Sequence, residues 1–130
     1  MDLEKDLAKP ELEEDGVWVD YKDGAKFKLA RLGNKKFLRA YETKRRPHLK
    51  AIRKGNFSAD DELRISCEVL AETVVMDWDG ILVNGKKAKY TTDLGFKYFY
   101  QSRDLRDDIT EMADDAENFM AEVFDDAAGN

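Results

Sequence analysis

Cysteine, histidine and proline are scarce in this chain of 130 residues, which has one Cys, one His and two Pro. The lone cysteine, Cys67, can close no internal disulfide and build no multi-cysteine metal knuckle, a usage that fits a reducing compartment. Apolar runs are short as well. None exceeds three residues, as in Ile81-Leu82-Val83, far below the roughly 20 needed to span a bilayer. The N-terminal stretch Met1-Asp2-Leu3-Glu4-Lys5-Asp6 is acidic where a secretion signal is basic and then apolar. Cytoplasm is the compartment these absences point to.

Catalytic groups are equally thin. Nucleophilic or general-base chemistry needs His, Cys or Ser in company, yet His48 follows Pro47 in a basic tract and Cys67 sits on the apolar stripe of another segment. Cys67 reads as a core thiol and His48 as a surface residue. Asp77-x-Asp79-Gly80 starts like a calcium loop, but Ile81, Val83 and Lys86 stand where coordination should continue. Gly80 and Gly85 come without a phosphate-loop or dinucleotide fingerprint. The expectation is a protein that is not an enzyme, with no catalytic, cofactor-binding or metal-binding residues.

Charge is abundant and segregated along the chain. The net value of −6 conceals seven acids against two lysines in residues 1–16, a local −5. From Lys22 to Lys54 there are thirteen bases against Asp23 and Glu42, giving +11, and from Asp104 onward ten acids against Arg106, giving −9. A chain polarised in this way attracts its own far end, a second copy or a charged partner.

A hydrophobic content of 42% suffices for one modest core. Residues 1–15 lack a sustained apolar stripe and read as a flexible or loosely helical acidic arm. Lys26 to Leu32 alternates polar and apolar after the turn dipeptide Asp23-Gly24, which predicts a hairpin over residues 17–32 with Phe27 and Leu29 facing inward. The period then becomes helical: Phe37, Leu38 and Tyr41 lie in a basic helix stopped by Pro47, and a short helix follows from Leu49 to Lys54. Ser58 caps a central helix with Leu63, Cys67, Leu70 and Val74 on one stripe and Met76 beside it. Trp78 is placed at the end of that helix, ahead of a compact Asn84-Gly85 turn. Thr91-Thr92-Asp93 opens a helix that faces inward through Leu94 and Tyr98, with Phe99 as a further candidate. A last amphipathic helix is predicted from Arg103 to Phe124, with residues 125–130 fraying. The predicted fold is α+β and mostly helical, a single domain over residues 16–124 with an N-terminal hairpin and about four to five packed helices. Trp78, Leu63, Cys67, Leu70 and Val74 form its structural core.

Two groups stand out as partner-binding candidates. Arg45, Arg46, Lys50 and Arg53 flank the Pro47 bend with only Glu42 nearby, so an acidic surface from elsewhere should complete them. Phe119, Met120 and Phe124 lie near the end of an acidic helix and are expected to stay exposed for a partner.

Further along, Met76-Asp77-Trp78-Asp79-Gly80-Ile81, Asn84-Gly85 and Tyr90-Thr91-Thr92-Asp93 form a recurrent pattern. An apolar helix runs into a tryptophan and Asp-Gly, then a glycine turn, then a Tyr-Thr-x-Asp helix start. With Phe37-Leu38-Arg39-Ala40, it resembles the tail assembly chaperones of long-tailed bacteriophages, the family of the lambda protein G, over most of residues 17–124. The resemblance implies a mostly helical, cofactor-free protein of the host bacterial cytoplasm, absent from the mature virion. Its implied partners are the tape measure protein, which it coats, the tail tube protein, which it recruits, and further copies of itself. Two other classes stay open: a nucleic-acid-binding regulator using residues 35–54, and an adaptor that blocks a host protein.

Overall fold

The computed structural model describes residues 1–120. Asp23 and Gly24 both take positive φ, 55° and 78°, and turn the chain between β1 (Val17–Asp20) and β2 (Lys26–Leu29), which pair antiparallel with Val19 opposite Phe27. The chain then leaves the sheet. Asn34 caps α2 (Lys35–Arg45) by accepting from the Phe37 N–H at 3.0 Å, and its side-chain amide donates to the Thr73 carbonyl at 3.1 Å. One residue thus starts a helix and ties it to a neighbour. Pro47 ends α2 through a single tight turn, after which α3 (Leu49–Arg53) runs to the positive-φ Gly55.

Ser58 caps α4 (Ala59–Val69), accepting from the Asp61 N–H at 3.0 Å, with Asp60, Asp61 and Glu62 in the first turn where they suit the helix dipole. A widened π-type turn, Leu70–Val74, carries the chain out of α4 into β3 (Val75–Asp79), which pairs with the free side of β2. This strand corrects the sequence reading, which carried Met76 along the helix and set Trp78 at its end. Val74-Val75 and Trp78 are residues that suit a half-buried strand, and β2 offers a whole row of unpaired backbone groups that a helix cannot satisfy. The short strands β4 (Leu82–Val83) and β5 (Lys86–Lys87) close around Asn84-Gly85, both at positive φ.

Two capped helices complete the layer over the sheet: α5 (Thr92–Gln101), whose Thr91 cap accepts from Leu94, and α6 (Arg103–Asp114), whose Ser102 cap accepts from Leu105. Of the candidates for the inward face of α5, Phe99 is fully buried while Leu94 and Tyr98 are half-buried, and Gly95 lets the Tyr90 ring in, since a Cβ there would stand 2.7 Å from that ring. Phe27, Leu29, Val75 and Trp78 of the sheet meet Cys67, Leu70, Val74, Phe99, Ile109 and Ala113 of the helices in one core. Cys67, Leu70, Val74 and Trp78 are buried there and Leu63 packs half-buried at the margin. Edge-to-face contacts run Tyr21–Phe27–Trp78–Tyr90 through that core. The Trp78 indole donates to the Ala88 carbonyl at 2.7 Å, and the Tyr90 hydroxyl to the Ala71 carbonyl at 2.5 Å.

The two ends of the chain are built differently. Within the acidic arm, read as mobile or loosely helical, Pro10–Asp15 forms the short helix α1, held by the Arg31 N–H to the Glu13 carbonyl at 2.8 Å and by the Arg31–Glu13 ion pair at 3.0 Å. At the other end α6 stops at Asp114, not Phe124. The Asp115 side chain accepts from the Glu117 N–H, competing with the helix for the backbone, and a short 3-10 turn, Ala116–Phe119, follows. That turn drives Phe119 fully into the interior, 0% exposed, beneath the Arg31 guanidinium. Phe119 is therefore a core residue and not a free contact; Met120 is half-buried. Phe124, Val123 and the tail 125–130 lie outside the described residues.

Candidate protein-binding groove

The basic limb of residues 35–54 buries none of its residues. Phe37 and Leu38 are adjacent on α2, so their side chains diverge by about 100° and a single neighbour cannot cover both. Phe37 packs toward the core margin while Leu38 stays 60% exposed, and Leu49, carried round by the Pro47 bend, is 47% exposed. Together with Tyr41 they line an open groove of about 390 Å³ whose remaining walls are Glu42, Arg45 and Arg46. Its floor is mostly apolar and its rim mostly cationic. Phe37 and Tyr41 stack with ring centres 5.8 Å apart, which makes the floor rigid.

The cations of the limb divide into held and free. Lys44 lies 3.0 Å from both Glu68 and Glu72 of the α4 side. Partial burial pulls its ammonium down, but those two carboxylates outweigh that effect and hold its pKa above the usual lysine value. Arg45 lies over the Tyr41 ring at 5.4 Å, its Nε 3.8 Å from Glu62. The Tyr41 hydroxyl donates to the Glu62 carboxylate, and burial together with that hydrogen bond pushes the phenol above its ordinary value, so it remains a neutral donor. Among the described residues, the acids beside this part of the patch come from α4 and the turn after it, where the sequence reading looked to an acidic surface from elsewhere. Spacing carried a signal for this: Glu68 and Glu72 are four apart and share one helix face.

Among the described residues Arg46 reaches only Glu42, at 3.4 Å across an exposed turn, a pair of little energetic weight. Lys50 and Arg53 are exposed on α3 and form no ion pair among the described residues. Of the four basic candidates, Arg45 and Arg46 line the groove, while Lys50 and Arg53 lie on the adjoining helix outside its lining. Sequence reading missed Leu38 and Leu49 as contact residues; the adjacent apolar pair at 37 and 38 was the available clue.

Elsewhere the possible chemical groups stand apart, Cys67 in the core and His48 at the surface. Cys67 is fully buried, and burial pushes its thiol up against the pull of Arg106. His48 packs on Phe57 with ring centres 5.0 Å apart. Among the described residues, no group of three or more His, Cys, Asp or Glu side chains is placed to hold a metal ion. Nor is any helix there long and apolar enough to cross a membrane.

The family model described as YdaY prophage protein matches residues 32–130, which is 99 of the 130 residues. The chain belongs to the YdaY prophage protein family. The match starts at Leu32, so the groove and helices α2 to α6 fall within it and the hairpin precedes it. No curated protein and no solved structure matches the chain.

Proposed function

We propose that this prophage-family chain is a tail assembly chaperone, a non-enzymatic protein of the host cytoplasm that covers the tape measure protein, recruits tail tube subunits and stays out of the finished virion. The observation that carries the reading is the groove between α2 and α3, with Leu38 and Leu49 exposed on a limb that buries nothing. Leaving such side chains in water gains the isolated fold nothing, and grouped apolar exposure marks a contact surface. A groove of this shape accepts the apolar stripe of a helix, and Arg46 with the neighbouring Lys50 and Arg53 favours acidic flanks on that helix. Contacts of this mixed kind hold an aggregation-prone segment in solution and still release it when tube subunits compete, because the rim charges are screened by salt.

Lys44 is already met by two glutamates of the same chain and Arg45 lies near a third, which leaves less of the basic tract for phosphate and favours a protein partner over nucleic acid. Co-expression with the tape measure protein of the same prophage tests the reading. The wild-type chain is expected to keep that protein soluble and to co-purify with it, and Leu38→Asp with Leu49→Asp to lose both effects while melting normally. Tape measure protein that is equally soluble with and without the chain would overturn the proposal. So would salt-sensitive DNA binding that Lys50→Glu with Arg53→Glu abolishes, without any capture of tape measure protein.

A further inference from the structure

The two edges of the three-stranded sheet are unlike. Just past β1 the Tyr21 N–H donates to the Ala25 carbonyl at 2.8 Å. By the alternation of an antiparallel ladder, the backbone groups of Val19 and Val17 then turn toward β2 while those of Trp18 and Asp20 turn away from it. Nothing among the described residues pairs with these outward groups. The β3 edge, by contrast, is blunted. The register shifts between Lys28 and Leu29, so Leu29 faces Val75, Lys28 faces Asp77 and Met76 is the extra residue of a bulge. The outward N–H of Trp78 is taken by the Asp77 side chain at 2.8 Å. Protection of this sort keeps sheet edges from pairing, and β1 has neither a bulge nor a proline.

The solvent face of the sheet points the same way. Trp18 is 43% exposed and Met76 42%, the latter lying so close over Gly16 that a Cβ there would stand 2.5 Å from its sulfur. The register sets Trp18 beside Lys28 and Asp77, and Asp20 beside Lys26 and Asp79. Both signs therefore share one patch, with Lys26 3.9 Å from Asp20. A two-fold axis brings a patch against itself, so only a mixed-sign surface suits a symmetric contact. The basic limb, of one sign at its exposed end, would repel its own copy.

We propose that β1 is a docking edge for β1 of a second copy, paired antiparallel about Val19, so that two sheets join into one across a two-fold axis. In that register Trp18 of each copy exchanges backbone hydrogen bonds with Asp20 of the other. Val19, half-buried in the single chain, meets its own copy. Each exposed indole comes to lie beside an aspartate and above the stem of Lys28. The proposal is independent of the tape measure reading, since it concerns the opposite kind of surface.

Sedimentation of the full chain from low micromolar to near-millimolar concentration, at low and at high salt, is the test. A monomer–dimer equilibrium that persists in high salt is expected. Asp20→Pro deletes an outward N–H together with the carboxylate facing Lys26, and Trp18→Lys adds charge to the edge. Each is expected to weaken the dimer by roughly tenfold or more while thermal melting changes little. If Asp20→Pro unfolds the chain, Trp18→Lys and the wild-type amides decide: hydrogen exchange at Trp18 and Asp20 is expected to slow as concentration rises. A chain monomeric throughout would overturn the proposal, as would a dimer indifferent to Trp18→Lys. Association that disappears in high salt would assign it to the opposed charge segments instead. A dimer that forms only after residues 121–130 are deleted would assign the edge to the chain's own terminal segment.

Discussion

Helices α2 and α4 are each 11 residues long, each begins at a side-chain cap, Asn34 or Ser58, and each carries an amphipathic pattern. Yet α4 buries Ile65, Cys67 and Val69 and α2 buries nothing. The difference lies in how many sides are covered. α4 is flanked by α2 on one side and α5 on another, and its final turn leads into the sheet, whereas α2 and α3 lie outermost. Local signals that make a helix say nothing about whether its apolar residues serve the core or wait for a partner. In this chain the α4 side is built for stability and the α2 side for contact, and three variants measure how sharp that division is.

Trp78→Ala should be the most damaging. It empties a site 7% exposed between Phe27 and Tyr90 and leaves the Ala88 carbonyl without its donor. A loss of about 3–5 kcal/mol is expected in denaturant titration. An unchanged melting temperature would place the ring outside the core and collapse the comparison. Lys44→Met probes the seam between the two sides, where one ammonium serves Glu68 and Glu72. With all three side chains partly solvated, the expected loss is only about 1 kcal/mol. Because the folded pKa of Lys44 is raised, its contribution is complete below the ordinary lysine value of about 10.4 and fades as pH climbs through the folded value. Wild type and Lys44→Met should therefore converge in stability at strongly alkaline pH and differ at neutrality. A gap that persists to the alkaline limit would assign the effect to the lost methylene packing instead.

The smallest expected effect belongs to Leu38→Ala with Leu49→Ala. Neither side chain is buried, so the pair should shift stability by less than about 0.5 kcal/mol. A loss near that of Trp78→Ala would show the limb to be structural. An unchanged melting curve with lost tape measure binding would separate the two roles as drawn.

Much of the fold was legible because its signals are short-range. The hairpin followed from Asp23-Gly24 and the alternation after it, the helix starts from Ser58 and Thr91, and the end of α2 from Pro47. Each is a decision made within a few residues by φ preference or by a side chain meeting a backbone N–H. The core stripe of Cys67, Leu70 and Val74 came from period alone. The stretch Val75–Asp79 was misread because its partner strand is far away in sequence, and apolar residues after a helix read as more helix. Phe119 was misread because an amphipathic pattern does not announce that Asp115 will take the backbone at its own turn.

By itself, then, the sequence determined the types and order of most elements, the segregation of charge, and the membership of the chain in a prophage protein family. These rest on local chemistry and on pattern. Only the tertiary structure decided which apolar side chains are left over, Leu38, Leu49, Trp18 and Met76 among them, and that Glu62, Glu68 and Glu72 stand beside Arg45 and Lys44. Exposure and ion pairing are properties of what packs against a residue, and the residues that do so are distant along the chain.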